Sequence, residues 1–384
     1  MTVSSKPPLL LMANHIDGVG GVERVADELA TGFTRRGYDV SLVGVRPSSG
    51  DSLPLDGRPY DTGFMSRRVD VMPPEDRSDQ AGMAVWRRDR NARRHEALEG
   101  LRRTLERYTQ GILVCMQVWA MEHVAELGTA RVMTAGTRII GQYHSSYAAA
   151  RSTGDYPRLF RQYRDVDRFA LLTSEDAQQF RRQDFNNTTA VPNPLPQFGP
   201  PESARRENLL VSLARYHKPK TVDHALRAWA QVAPEFPEWR FELYGGGPDQ
   251  AHLESVIDEL GIGASAILKG PTADVGAVLS RAKLHVLSSQ FEGLPMVLAE
   301  AMSAGVPSVT YDSSPGVREI VTDNVDGFVV PLNAVDALAE RLRELMTNDE
   351  LRRVMASSGQ QSARRYHPDT VVDVWEDLFA RTMR

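Results

Sequence analysis

At 384 residues the chain is too long for one small core and suits two domains. Hydrophobic residues make up 41%, charged residues 25% and the net charge is −5, an ordinary globular balance that argues against nucleic acid as a partner. Cys115 is the only cysteine, which rules out an internal disulfide and fits a reducing cytoplasm. The apolar run at 9–13 is far too short to cross a bilayer, and no signal peptide is read before it. Peripheral contact with the inner face of a membrane stays open.

Residues 8–13 read as a buried strand. They run into Asn14-His15-Ile16-Asp17-Gly18-Val19-Gly20-Gly21-Val22-Glu23-Arg24. Val25, Leu29 and Phe33 then recur at helical spacing, Gly37 closes the helix, and 40–45 reads as a second strand. A glycine-rich loop at the carboxyl end of a first strand is a Rossmann-like opening. Lacking Cβ, Gly20 and Gly21 let the backbone approach a phosphate. The dinucleotide fingerprint Gly-x-Gly-x-x-Gly is missing, which argues against a dehydrogenase. A plain turn is the alternative.

Residues 46–85, rich in Pro, Gly, Ser and Asp, read as a long variable loop. Residues 86–108 read as an arginine-heavy helix. Ala97, Leu98, Leu101, Leu105 and Tyr108 share one face, and the same stripe extended backward carries Arg87, Arg90 and Arg94. An apolar stripe that turns into an arginine stripe suggests a face leaving the core for a cleft or a membrane surface. Arginine's fork suits phosphate, so these three are candidate contacts to an anionic acceptor. The alternative is a helix that starts near Ala92, with solvated arginines before it.

Strands are expected at 111–118 and 138–143. The second ends in His144-Ser145-Ser146-Tyr147, where a histidine in such a fold faces the ligand side. A structural loop histidine is the alternative. A strand at 168–173 leads to Ser174 as a helix cap. Val191-Pro192-Asn193-Pro194-Leu195 and a Pro-, Gly- and charge-rich linker at 196–207 follow. Residues 208–213 open a second Rossmann-like domain, then come Ala214-Arg215-Tyr216-His217-Lys218-Pro219-Lys220 and a helix at 222–232. A strand at 239–244 precedes the turn Gly245-Gly246-Gly247-Pro248, and a strand at 266–270 precedes a helix at 275–282. Two amphipathic helices, 338–346 and 351–363, and a last helix at 371–379 end the chain.

The stretch 284–311 organises the rest: strand 284–287, a loop, a helix with Pro295 at its first position and Gly305 just past its end, then strand 306–311. Glu292 stands just before that helix. Glu300 stands within it, among Val297, Leu298, Ala299, Ala301 and Met302. A carboxylate on so apolar a helix needs a partner, and the helix start is a ready anion site.

Glu292-Gly293-Leu294-Pro295 through Glu300-Ala301 is a Glu-x7-Glu pattern. Embedded in this strand–helix–strand unit, it resembles the retaining glycosyltransferases of family 4. That resemblance implies an α/β chain of two facing Rossmann-like domains, the GT-B fold, with a C-terminal helix crossing back to the N-terminal domain. The domains fall at 1–196 on the acceptor side, 197–365 for the nucleotide sugar, and 366–384 for the returning helix. The donor-binding set implied is Gly20, Gly21, Arg215, Lys220, Glu292, Gly293, Leu294, Pro295 and Glu300. Glu300 is implied to hold the ribose, and Arg215 with Lys220 the diphosphate. Glu292 and His144 are implied to contact the transferred sugar and, with Arg215 and Lys220, to form the catalytic set. The family's usual Lys-Gly is Lys220-Thr221 here, which leaves Lys218 as a rival. No cofactor and no metal are implied. The donor is a nucleotide-diphosphate sugar, with UDP expected, and the acceptor a polymer such as teichoic acid, a lipid-linked glycan or a small secondary metabolite. A phosphorylase lacks support for want of an evident pyridoxal lysine. A non-catalytic partner subunit and a sugar-nucleotide epimerase remain as rivals. Oligomeric state is not read.

Overall fold

The computed structural model describes residues 6–18, 20–49, 52–68, 72–129, 132, 136–195 and 206–383. The chain divides into two compact units, Met1–Pro194 with Pro368–Arg384, and Leu195–His367. The linker expected at 196–207 falls mostly outside the described residues, as does the domain boundary at 196/197.

The first unit runs β1 (Leu9–Ala13), α1 (Gly21–Arg35), β2 (Val40–Gly44), β3 (Asp61–Phe64), α2 (Gln80–Leu105), β4 (Ile112–Cys115), α3 (Val118–Leu127), β5 (Arg138–Tyr143), α4 (Tyr147–Thr153), α5 (Tyr156–Tyr163), β6 (Arg168–Leu171), α6 (Ser174–Arg181) and β7 (Thr188–Ala190). Its strands are ordered β3-β2-β1-β4-β5-β6-β7, and all pairs are parallel. Helices cover both faces, which is why β1 is apolar throughout. Leu9, Leu11 and Ala13 pack with Val25, Leu29 and Phe33 of α1. Leu10 and Met12 point the other way, toward Leu101 of α2 and Met121 and Val124 of α3.

The second unit repeats the plan with β8 (Leu209–Leu213), α7 (Val222–Val232), β9 (Arg240–Tyr244), α8 (Gln250–Leu260), β10 (Ala266–Gly270), α9 (Val275–Arg281), β11 (Leu284–Leu287), α10 (Met296–Ser303), β12 (Ser308–Tyr311), α11 (Pro315–Ile320), β13 (Gly327–Val330), α12 (Val335–Thr347) and α13 (Asp349–Ala363). Its order is β10-β9-β8-β11-β12-β13, again all parallel. Leu210 packs with Trp229 and Phe241, whereas Leu209 and Val211 face Leu279 and Ala301 on the opposite side. The last helix, α14 (Pro368–Thr382), belongs to the first unit. It lies on α1, with Phe33 against Phe379 at 5.3 Å between ring centres and Arg36 bonded to Asp373 at 2.6 Å.

Three expectations are corrected. The stretch 46–85 is not all loop, since it holds β3 and the start of α2. β3 is an edge strand of sequence Asp-Thr-Gly-Phe with no buried residue, so it carries no apolar run to signal it. α2 starts at Gln80, capped by the Asp79 side chain on the Gly82 amide at 2.9 Å, so a start near Ala92 is overturned. The cap of α6 is Thr173, not Ser174, with the Asp176 amide on its hydroxyl at 3.0 Å. Among the described residues no helix is long and apolar enough to cross a membrane.

Candidate active site

In the second unit the strand order reverses between β8 and β11, and the loops leaving their carboxyl ends form the crevice where such folds bind ligands. One loop carries Arg215 and Lys220, the other Glu292. Lys220 Nζ donates to Glu292 Oε1 at 2.6 Å, both side chains being partly buried. Arg215 and Lys218 are exposed.

The lysine turn is built in an unusual way. Residues Lys218–Lys220 form a 3₁₀ turn, and Thr221 follows in the left-handed region at φ 37° and ψ 50°. A β-branched residue is strained there. Bonds to the facing loop hold it. Thr221 Oγ1 donates to the Ser288 carbonyl, Ser288 Oγ donates to the Thr221 carbonyl at 2.8 Å, and the Gln290 amide donates to the Pro219 carbonyl at 2.8 Å. Thr221 therefore does what a glycine does at such a turn, by tertiary restraint.

α10 starts after Pro295, which caps it at φ −73° and ψ 88° instead of occupying its first turn. Gly305, at φ +69°, ends it, with the Gly305 amide on the Met302 carbonyl and the Val306 amide on the Ala301 carbonyl. That is a Schellman motif. Glu300 is 6% exposed and sits on this helix with Leu298, Ala299, Ala301 and Met302, all buried. Gly293 and Leu294 abut the start of α11. A Cβ on Gly316 would lie 1.8 Å from the Gly293 carbonyl oxygen, so only glycine permits the approach.

The first unit has its own reversal, between β1 and β4. Here the loops meet through neutral groups. The Asn14 amide donates to Gln117 Oε1 at 2.7 Å, and the Ala120 amide donates to Asn14 Oδ1 at 3.0 Å. Gly20 caps α1 with extended backbone at φ −77°, and Gly21 opens the helix with nothing near its missing Cβ. His144 follows β5. Neither of its ring nitrogens has a partner in good hydrogen-bonding geometry among the described residues. Burial drives its pKa down to about 4, which the neighbouring Asn193 opposes in part. Its imidazole is thus neutral at pH 7.

The three arginines of the expected stripe, Arg87, Arg90 and Arg94, are all exposed. Arg90 and Arg94 line a cavity of about 270 Å³ at the carboxyl ends of β2 and β3, between α2 and α3. Arg87 is exposed and outside its wall. In its place stands Arg93, one turn before Ala97 and 5% exposed. Default solvation of arginine hid it in the sequence, yet its i−4 spacing from Ala97 was the available signal. Arg46 follows β2 on a loop and Trp119 stands in the first turn of α3, so neither belongs to the α2 stripe that spacing could reveal.

Two family models match the chain: Glycosyltransferase Family 4 over residues 19–196, and Glycosyl transferases group 1 over residues 197–362. An exopolysaccharide phosphotransferase of Streptomyces coelicolor is 34% identical over 284 residues, 73% of this chain but 29% of that protein. The poly(glycerol-phosphate) alpha-glucosyltransferase of Bacillus subtilis is 25% identical over 242 residues, 62% of this chain and 36% of its own length. The chain thus spans about a third of either relative. The Anabaena protein HepE, solved with UDP and glucose, superposes with a TM-score of 0.71 at 16% identity, over 97% of this chain and 99% of its own. With its two doubly wound units, each matched by one of the two models, the chain belongs to the family 4 glycosyltransferases of GT-B fold.

Proposed function

We propose that the chain moves a hexose or N-acetylhexosamine from a UDP-sugar to a hydroxyl of a phosphate-containing cell-envelope polymer or a lipid-linked glycan. Configuration is retained and no metal is required. The observation that carries this reading is the Lys220–Glu292 contact at the β8/β11 reversal, beside the helix that holds buried Glu300. The UDP and glucose bound by HepE support the donor, and the name of the Bacillus relative supports the acceptor.

In this reading Glu300 accepts from the ribose hydroxyls, and Glu292 from hydroxyls of the transferred sugar. Arg215, Lys220 and the amides of Gly293 and Leu294 receive the diphosphate. The bond from the anomeric carbon to the phosphate oxygen breaks, and the bond to the acceptor oxygen forms on the same face. The acceptor's proton passes to the departing phosphate oxygen. Negative charge grows on the diphosphate as this happens, which is where Arg215 and Lys220 act. His144, neutral at pH 7, is assigned a hydrogen bond to the sugar, and Gly20 and Gly21 the approach to a donor phosphate.

The test is consumption of UDP-glucose and UDP-N-acetylglucosamine with and without poly(glycerol phosphate), in EDTA, with the product's anomeric configuration read by NMR. Turnover that needs acceptor and survives EDTA is expected. Turnover without acceptor favours an epimerase, and loss in EDTA a metal-dependent reaction. Glu300→Gln should weaken UDP binding by roughly 1.5–3 kcal/mol in calorimetric titration, since it loses charge-assisted bonds. Unchanged affinity removes the ribose assignment.

A further inference from the structure

The two groups that bond each other at the β8/β11 reversal are the two that transfer assigns to different parts of the donor. Lys220 Nζ and Glu292 Oε1 lie 2.6 Å apart, with 28% of the lysine side chain and 12% of the glutamate exposed. Among the described residues that ammonium is the one bonded partner of the Glu292 carboxylate. Arg215 and Lys218, exposed on the same loop, have no carboxylate partner among the described residues. An anion reaches Arg215 without disturbing an ion pair. It reaches Lys220 only in competition with Glu292.

The pair is held by its backbone. Ser288 Oγ donates to the Thr221 carbonyl at 2.8 Å and stands 3.3 Å from the Lys220 carbonyl. The Gln290 amide donates to the Pro219 carbonyl at 2.8 Å, and Gln290 Nε2 donates to Asn333 Oδ1 at 3.1 Å. These bonds clamp the chain on both sides of Lys220 and just before Glu292. A pair so fixed loses less entropy on forming than a free surface pair, and partial burial limits its screening by salt.

We infer that Glu292 sets the preference of this site for a sugar-bearing nucleotide over the free diphosphate that transfer leaves behind. A diphosphate at Lys220 comes beside the Glu292 carboxylate, and like charges that close repel. A sugar on the diphosphate offsets this in two ways. Its hydroxyls donate to the carboxylate, in place of the bond to Lys220. It also makes the terminal phosphate a diester, which removes the second ionisation, near a pKa of about 6. Free UDP has that further charge and no sugar hydroxyl to offer Glu292. As the sugar leaves, Glu292 takes back Lys220, and the nucleotide product is released more readily. The inference rests on the transferase reading, which supplies both ligands.

An ammonium has three N–H donors, so the opposite arrangement has its own signature. If Lys220 serves both anions at once, Glu292 positions the lysine, and its loss weakens UDP binding. Calorimetric titration of UDP and UDP-glucose into wild type, Glu292→Gln and Glu292→Ala decides, with thermal unfolding as the check of folding. Either variant suffices if the other does not fold. Both should bind UDP about tenfold tighter than wild type and UDP-glucose no tighter. Glu292→Ala, which also lacks the acceptor oxygen, should bind UDP-glucose more weakly than Glu292→Gln does. In transfer assays UDP should become the stronger product inhibitor, its Ki falling by the same factor. UDP bound equally or more weakly by the variants overturns the inference and leaves the transferase reading standing. Equal tightening of UDP and UDP-glucose overturns it as well, since Glu292 then repels every diphosphate and selects none. Wild type that binds neither nucleotide overturns the donor of the transferase reading, and this inference with it.

Discussion

The two units are wound alike, with six strands in the same relative order, yet they furnish the reversal of that order differently. In the second unit an ammonium and a carboxylate meet there, from loops after β8 and β11. In the first, the loops after β1 and β4 are joined by amide groups of Asn14 and Gln117, and the cationic groups stand aside, beyond β2 and β3. The same scaffold thus carries a charged centre in one unit and a neutral joint in the other. Charge in a shared fold is set by a few loop residues, not by the winding.

The sharpest way to break this comparison is to remove the charge from one reversal and the amide from the other. Lys220→Ala and Arg215→Ala should each lower kcat/KM by about 10²–10³-fold, the loss typical for one donor to a developing anion. Lys218→Ala, exposed, should be milder. Gln117→Ala in the first unit should cost stability of about 1 kcal/mol instead, by freeing the Asn14 amide. If Lys218 proves the critical lysine, the assignment to Lys220 fails.

Acid acts on both units through histidines that burial holds neutral: His123 of the first unit is shifted downward, and His285 of the second and His144 of the first are shifted furthest. His285 of β11 is fully buried with Nδ1 3.0 Å from Ser308 Oγ, and its pKa is pushed down to about 3. His144 is held at about 4. Both are neutral when folded and titrate near 6.5 when unfolded, so below that pH the unfolded chain binds more protons. Their stabilisation is complete above 6.5 and is lost as pH falls toward 4 for His144 and 3 for His285. Each loss is on the order of 3 kcal/mol or more. Thermal unfolding from pH 7 to 4 should show it, and His285→Leu should flatten the slope; an unchanged slope would show that other groups set acid stability.

The second unit was far more legible in sequence than the first, and the reason is physical. Its two glutamates lie on one βαβ unit whose boundaries are marked by Pro295, Gly305 and Pro307, so pattern and chemistry coincide there. The first unit's cavity draws on Arg46, Trp119 and α2, which are joined only by the fold. β3 is an exposed edge strand, and α2 hides its buried face under arginines. What remained illegible in the second unit was the Lys220–Glu292 bond, because contact across 72 positions follows from strand order and not from spacing.

Glycines offer a smaller contrast. In Gly316→Ala the new Cβ would meet the Gly293 carbonyl at 1.8 Å and the Leu294 Cα at 3.0 Å, both backbone. Shifting them should cost about 1–3 kcal/mol and weaken UDP binding. In Gly20→Ala the nearest atom is Glu23 Oε2 at 2.2 Å, the tip of a flexible side chain. That variant should lose under about 1 kcal/mol. Urea unfolding of the pair decides; equal losses would mean that the Gly293 loop yields easily.

The smallest effect expected is at Thr221, and it tests how the charged reversal is held. Thr221→Gly removes the strain of a left-handed β-branched residue, about 1–2 kcal/mol. It also removes the hydroxyl bond to the Ser288 carbonyl, about 0.5–1.5 kcal/mol, and adds backbone freedom to the unfolded chain, roughly 0.5–1 kcal/mol. These terms nearly cancel, so stability should change by less than about 1 kcal/mol. Thr221→Val keeps the strain and loses the bond, so it should be the less stable by about 1 kcal/mol or more. Urea unfolding of both variants measures the difference. If the valine variant is as stable as the glycine one, the bond to Ser288 does not hold the turn, and another contact must fix Lys220 against Glu292.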